Sequence, residues 1–215
     1  MAKYKNTKLE SMEDFLPEGA WPFVRTLIAA HKVHIIIMPE RKRKHGDYKK
    51  LPVGDAYHHE ITINESLNPY GFLLTLIHEI AHLYAFIDHT GKAIAPHGTE
   101  WKTTFTKLMT PIIDAHIYPQ PLAGILRLHM KNPKATSGSD MALQLALKKY
   151  DPVNENESHI IYMDSMQVGS KFYYSQIKAD FVVIEKLRKR YKCKDLKTGK
   201  LYLFSPMAEV IPLSQ

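Results

Sequence analysis

Among 215 residues there is one cysteine, Cys193, so the chain can form neither an internal disulfide nor a zinc site built on four thiolates. A metal held by this chain must rest on histidines and carboxylates, and it has twelve histidines to draw on. No apolar run approaches the roughly 18 residues of a membrane helix, and the opening MAKYKNTKLESMEDF has no apolar stretch able to serve as a signal peptide. These absences lead us to expect a cytoplasmic protein with no membrane partner. The sequence also has no phosphate-cradling glycine loop and no G-x-S-x-G elbow, and nothing is placed to make Cys193 a nucleophile.

With 45% hydrophobic and 24% charged residues, the chain can bury a real core, as one large domain or a medium one plus a small one. Lys and Arg outnumber Asp and Glu, giving a formal charge of +7. That balance favours an anionic partner such as nucleic acid, although many ordinary proteins are as basic.

From Pro17 to Lys32, Trp21, Val24, Leu27 and Ile28 recur at helical spacing, and the β-branched run VHIIIM follows at 33–38. A polar, basic segment covers Glu40 to Asp55, and HHEITIN at 58–64 alternates again, which predicts two or three strands of one small sheet. Asn68 then Pro69 form an N-cap and first-turn proline, opening a helix through PYGFLLTLIHEIAHLYAFI. This helix is apolar on nearly every side, so it belongs in the middle of a domain. Thr99 can cap a further helix, EWKTTFTKLM, with Pro111 setting its end. KATSGSD and NENES flank a short helix, MALQLALKKY, and read as a linker over 136–158. Residues 159–215 alternate β-branched and aromatic residues between turns, as in a small antiparallel β-domain or partly closed barrel. The fold class is therefore α+β.

Within the central helix stands HEIAH, residues 78–82. Positions i and i+4 share a helix face, so His78 and His82 can present imidazoles to one ion with Glu79 beside them. Hydrolytic zinc takes three protein ligands and a water, and needs a carboxylate to accept the water's proton. Burying two imidazoles and a carboxylate on so apolar a helix costs several kcal/mol unless something pairs with them, which a metal does. Candidates for the third ligand are Asp88, His89, His97 and Glu100. Asp88 lies where the metzincin pattern puts its third ligand, but that pattern has a helix-breaking glycine where Ala85 stands, and Glu100 would suit a gluzincin, in which a glutamate on a second helix completes the site. His97 is preferred, because in HGTEW Gly98 lets the backbone turn and Trp101 anchors the following helix.

HEIAH, the step of fifteen residues to His97 and the HGTEW context together resemble the SprT-like metalloprotease family, which includes the Spartan proteases. The resemblance spans roughly residues 15 to 130 and implies one zinc ion held by His78, His82 and His97, with Glu79 as catalytic base. It implies a compact zincin-like domain over 1–135, with a small sheet and an active-site helix, acting on protein substrates as an endopeptidase. Spartan members cleave proteins crosslinked to DNA, so DNA is a partner the resemblance brings with it. Many members end in a zinc ribbon of paired cysteines, whereas this chain has a β-rich segment instead.

Two basic clusters could meet nucleic acid: Arg41, Lys42, Arg43 and Lys44, and Arg188, Lys189, Arg190, Lys192 and Lys194. On one strand Arg188, Arg190, Lys192 and Lys194 would share a face. Equally, such runs serve as solvated loops or charged sheet edges. Rival readings of the whole are a binding module with a structural zinc and a metallohydrolase acting on a non-peptide bond.

Overall fold

The computed structural model describes residues 9–41, 44–54, 56–89, 94–134, 140–152 and 160–213. The chain divides into two compact units, Met1–Asp151 and Pro152–Gln215. The architecture is α+β: a three-stranded sheet with helices in the first unit, and an antiparallel six-stranded sheet in the second.

The first unit begins with a 3-10 turn, Leu9–Phe15, and helix α1, Trp21–Ala29, which buries Val24 and Ile28 one turn apart. Strand β1, Val33–Met38, turns Ile35 and Ile37 into the core. Strand β2, Gly46–Val53, lies within the polar segment, and β3, Ala56–Asn64, follows it. The sheet order is β1-β3-β2, with β1 parallel and β2 antiparallel to β3. Strand β2, at one edge, carries little apolar sequence because most of its residues face solvent.

Helix α2, Pro69–Asp88, starts where Asn68 Oδ1 accepts the Gly71 N–H at 2.9 Å. By length and composition it is apolar enough to cross a membrane, which corrects the expectation drawn from run length. In the fold it forms the core of the first unit, with Phe72, Leu73, Leu76, Ile77, Ile80 and Leu83 wholly buried. Helix α3, Thr99–Asp114, is capped by Gly98 rather than Thr99 and runs through Pro111. Pro111 is tolerated because it and Lys107, whose carbonyl loses a partner, both face solvent, while Ile112 and Ile113 hold the last turn in the core. Helix α4, Leu122–Met130, follows.

Helix α5, Met141–Lys148, sits inside the stretch expected to be linker, yet it belongs to the first unit. Leu143 and Ala146 join the first core, and Asn68 Nδ2 donates to the Leu147 carbonyl at 3.0 Å and to Asp151 Oδ1 at 2.6 Å. The polar residues flanking α5 hid this packing from a reading by composition.

The second unit contains β4 (Ile161–Tyr162), β5 (Lys171–Tyr174), β6 (Ala179–Lys186), β7 (Tyr191–Asp195), β8 (Leu201–Phe204) and β9 (Glu209–Pro212). Their order is β4-β9-β5-β6-β7-β8, so among the described residues the sheet stays open instead of closing into a barrel. Phe172, Phe181, Val183, Tyr191, Cys193 and Phe204 form its core. At the β7–β8 turn, Asp195 Oδ1 accepts the N–H groups of Lys197 and Thr198 at 2.8 and 2.7 Å.

Candidate metal centre

Because His78 and His82 are one turn apart on α2, their rings point the same way. His97 reaches them from the turn before α3, at φ 57°, a left-handed conformation uncommon for a residue with a side chain. Gly98 makes that turn feasible. Its N–H bonds the Ala95 carbonyl at 2.9 Å, and a Cβ there would lie 3.0 Å from the same oxygen and 3.2 Å from Ala95 Cβ.

The three Nε2 atoms converge: His97 lies 3.1 Å from His78 and 3.0 Å from His82. Around a tetrahedral zinc with bonds of about 2.0–2.1 Å, neighbouring nitrogens stand about 3.3 Å apart, so the spacing suits a shared ion. Among the described residues, His78, His82 and His97 alone form such a group. Of the other candidates, His89 turns its Nδ1 to the Ala85 carbonyl at 3.1 Å, and α2 continues unbroken through Ala85 to Asp88. Neither Asp88 nor Glu100 joins the cluster.

Trp101 supports the three rings, with its ring centroid 4.6 Å from His78, 5.3 Å from His82 and 4.7 Å from His97. Its Nε1–H donates to the His78 carbonyl at 3.4 Å. Phe105 stacks beneath Trp101 at 5.0 Å. Burial first, then repulsion from His82, His97 and His129, lowers His78 to about 3; burial, then His97, lowers His82 to about 4. Both rings are therefore neutral near pH 7, the form in which a ring nitrogen can bind a metal.

Glu79 is 7% exposed. Burial, reinforced by Asp47, pushes its carboxyl up to about 8 in the metal-free protein, against the pull of a hydrogen bond from the Tyr48 amide. A dication nearby would favour the ionised form. The start of β2 lies against this carboxylate so closely that a Cβ on Gly46 would stand 2.7 Å from Glu79 Oε1. Tyr48 stacks parallel to His82 at 6.3 Å, and its hydroxyl is 3.0 Å from His59 Nδ1. Sequence reading passed over Gly46 and Tyr48; the only trace was a glycine placed directly after a basic run.

These groups line a cleft of about 760 Å³, together with Lys44, Lys50, Phe86, Ile94, His129 and Lys134. Residues 20–117 match the model of the SprT-like family. No curated protein and no solved structure matches the chain. The SprT-like stretch contains all three histidines and Glu79, and the cluster is able to bind a metal ion.

The basic clusters are placed differently from their sequence reading. Arg41 is a clamp: its guanidinium donates to Asn64 Oδ1 at 2.7 Å and Thr62 Oγ1 at 2.9 Å, while Asn64 Nδ2 donates to the carbonyls of Arg41 and Lys44. Lys44 pairs with Asp47 at 2.7 Å, and Lys42 and Arg43 lie outside the described residues. In the second unit β7 starts at Tyr191, so Arg188 and Arg190 lie in the bend before it, where Leu187 N–H bonds the Arg190 carbonyl. Only Lys192 and Lys194 share a strand face, because Tyr191, Cys193 and Asp195 alternate with them into the interior.

Proposed function

We propose that the protein is a zinc-dependent endopeptidase of the SprT-like type. The observation that carries this reading is the convergence of three imidazoles beside the buried side chain of Glu79 in a cleft. With three histidines and no fourth protein ligand among the described residues, the centre has the donor set of catalytic rather than structural zinc. Zinc held there supplies Lewis-acid polarisation of a carbonyl and makes water a stronger acid.

The chain's own residues do the rest. Glu79 accepts the proton of the attacking water and returns it to the leaving amine nitrogen. The Tyr48 amide and the close approach of Gly46 hold that carboxylate in place. The free edge of β2, beside the cleft, receives an extended peptide by adding it as a further strand. Trp101 and Phe105 keep the floor dry and fix the imidazoles.

The decisive variant is Glu79→Gln, which keeps shape and hydrogen bonding but cannot take a proton. It should retain metal and lose at least about 10²-fold in turnover of a protein substrate. Full activity in that variant would sink the mechanism.

For DNA, we assign contact to Lys192 and Lys194, with Arg188 and Arg190 at the neighbouring bend, and not to Arg41. The supporting observation is that Arg41 is engaged by Thr62 and Asn64 of β3 whereas the two β7 lysines stand on one strand face.

A further inference from the structure

A second ionisable pair opens onto the same cleft and has no part in the mechanism so far. His129, in the last turn of α4, lines the cleft, and its side chain is only 3% exposed. Its Nδ1 lies 2.8 Å from Asp140 Oδ2. The other oxygen of Asp140 accepts the Leu143 N–H at 3.2 Å, capping α5, so the carboxylate is fixed at both ends. Burial works to raise the Asp140 carboxyl, but the His129 bond, the Leu143 amide and Lys134 together hold it below the usual range.

An ionised carboxylate brings no proton to a hydrogen bond, so the proton shared with Asp140 sits on His129 Nδ1. Among the described residues Nε2 has no hydrogen-bonding partner, and it is the ring nitrogen left to meet a ligand in the cleft. His129 is near enough to His78 for charge on the two rings to interact. A merely structural tie between α4 and α5 would not need this chemistry, because Leu143 and Ala146 already seat α5 in the core. Both residues also lie outside the SprT-like stretch of residues 20–117.

We propose that His129 is a further catalytic residue, donating a hydrogen bond from Nε2 to the substrate carbonyl oxygen as that oxygen becomes negative, with Asp140 positioning it. The assignment rests on the peptidase reading above. As the water oxygen bonds to the carbonyl carbon, the π pair moves onto the carbonyl oxygen and the water's proton moves to Glu79. When the C–N bond breaks, its electron pair stays on nitrogen, which takes that proton. No proton passes to or from His129 in these steps; its hydrogen bond stabilises the charge that builds in between.

The test uses the full-length, zinc-loaded chain and four variants: Glu79→Gln, His129→Phe, His129→Gln and Asp140→Asn. Each is followed by kcat, KM, thermal unfolding and calorimetric affinity for a phosphonamidate peptide, whose tetrahedral oxygens mimic the developing anion. His129→Phe should lower kcat about 10²-fold or more with KM changed only a few-fold, and weaken phosphonamidate binding in parallel. His129→Gln, which offers an amide donor from the same backbone position, should recover part of both. Asp140→Asn keeps the α5 cap and the unfolding temperature, yet should lower kcat at unchanged KM. Should His129→Phe fold poorly, the other two variants decide. Phosphonamidate affinity and kcat unaltered by these substitutions would overturn the role of His129 alone. Full turnover by Glu79→Gln would instead overturn the peptidase reading, so the two failures are distinguishable.

Discussion

Replacing Gly46 with alanine tests whether the edge strand holds the proposed catalytic carboxylate in place. The new methyl would stand 2.6 Å from Thr75 Cγ2, 2.7 Å from Glu79 Oε1 and 2.9 Å from Glu79 Cγ. Ordinary contact begins near 3.5 Å, so these atoms or β2 must retreat by roughly 0.6 to 0.9 Å. Overpacking of this kind costs about 1–3 kcal/mol. At about 2–4 °C per kcal/mol for a chain of this size, the unfolding temperature should fall by about 2–12 °C. A displacement near 1 Å at a reacting group costs about 10²-fold in rate, so kcat should drop on that scale. Metal content should stay at the wild-type level, because the atoms nearest the new methyl belong to Thr75 and Glu79 and not to the three histidines. Adding Thr75→Ser removes the 2.6 Å contact but leaves both contacts to Glu79. The double variant should therefore regain part of its unfolding temperature without regaining kcat. Differential scanning calorimetry, metal analysis and peptidase kinetics on the three proteins suffice. A Gly46→Ala protein with wild-type kcat would refute the argument that β2 fixes Glu79.

Three other expectations follow from the same geometry. His97→Ala should weaken zinc binding by more than the roughly 10–100-fold cost of losing an outer-shell partner, measured by competition with a chelator; wild-type affinity would remove His97 from the ligand set. Cys193 is fully buried and its thiol is raised to about 11 by burial, so the native chain should resist alkylation at pH 7 and react once unfolded; rapid native labelling would contradict its place in the β7 core. Changing Lys192 and Lys194 together to alanine should reduce the slope of log affinity for DNA against log salt by about 2, whereas Arg41→Ala should lower stability and leave that slope alone; an unchanged slope in the double variant would remove DNA from the β7 face.

The site was more legible in the sequence than the surfaces around it, and the reason is distance along the chain. His78, Glu79 and His82 are set by the period of one helix, which an apolar sequence and the Asn68 cap make plain. His97 needed only a turn signal, and Gly98 and Trp101 provided it. Strand β2 was harder, because an edge strand with most of its residues in solvent has no inward apolar alternation to announce it. Gly46 was harder still, since its role arises where β2 crosses α2 about thirty residues later in the chain, and no local pattern encodes that approach. The basic runs show the opposite failure. Composition displays their charge, but whether a guanidinium faces solvent depends on partners such as Thr62 and Asn64, more than twenty residues from Arg41. Asp140 combines both difficulties. It reads locally as nothing more than the N-cap of a short helix, and that is one of its functions. Its other oxygen reaches back eleven residues across a polar segment to His129, so the capping signal that makes α5 legible is the same carboxylate that directs an imidazole into the cleft.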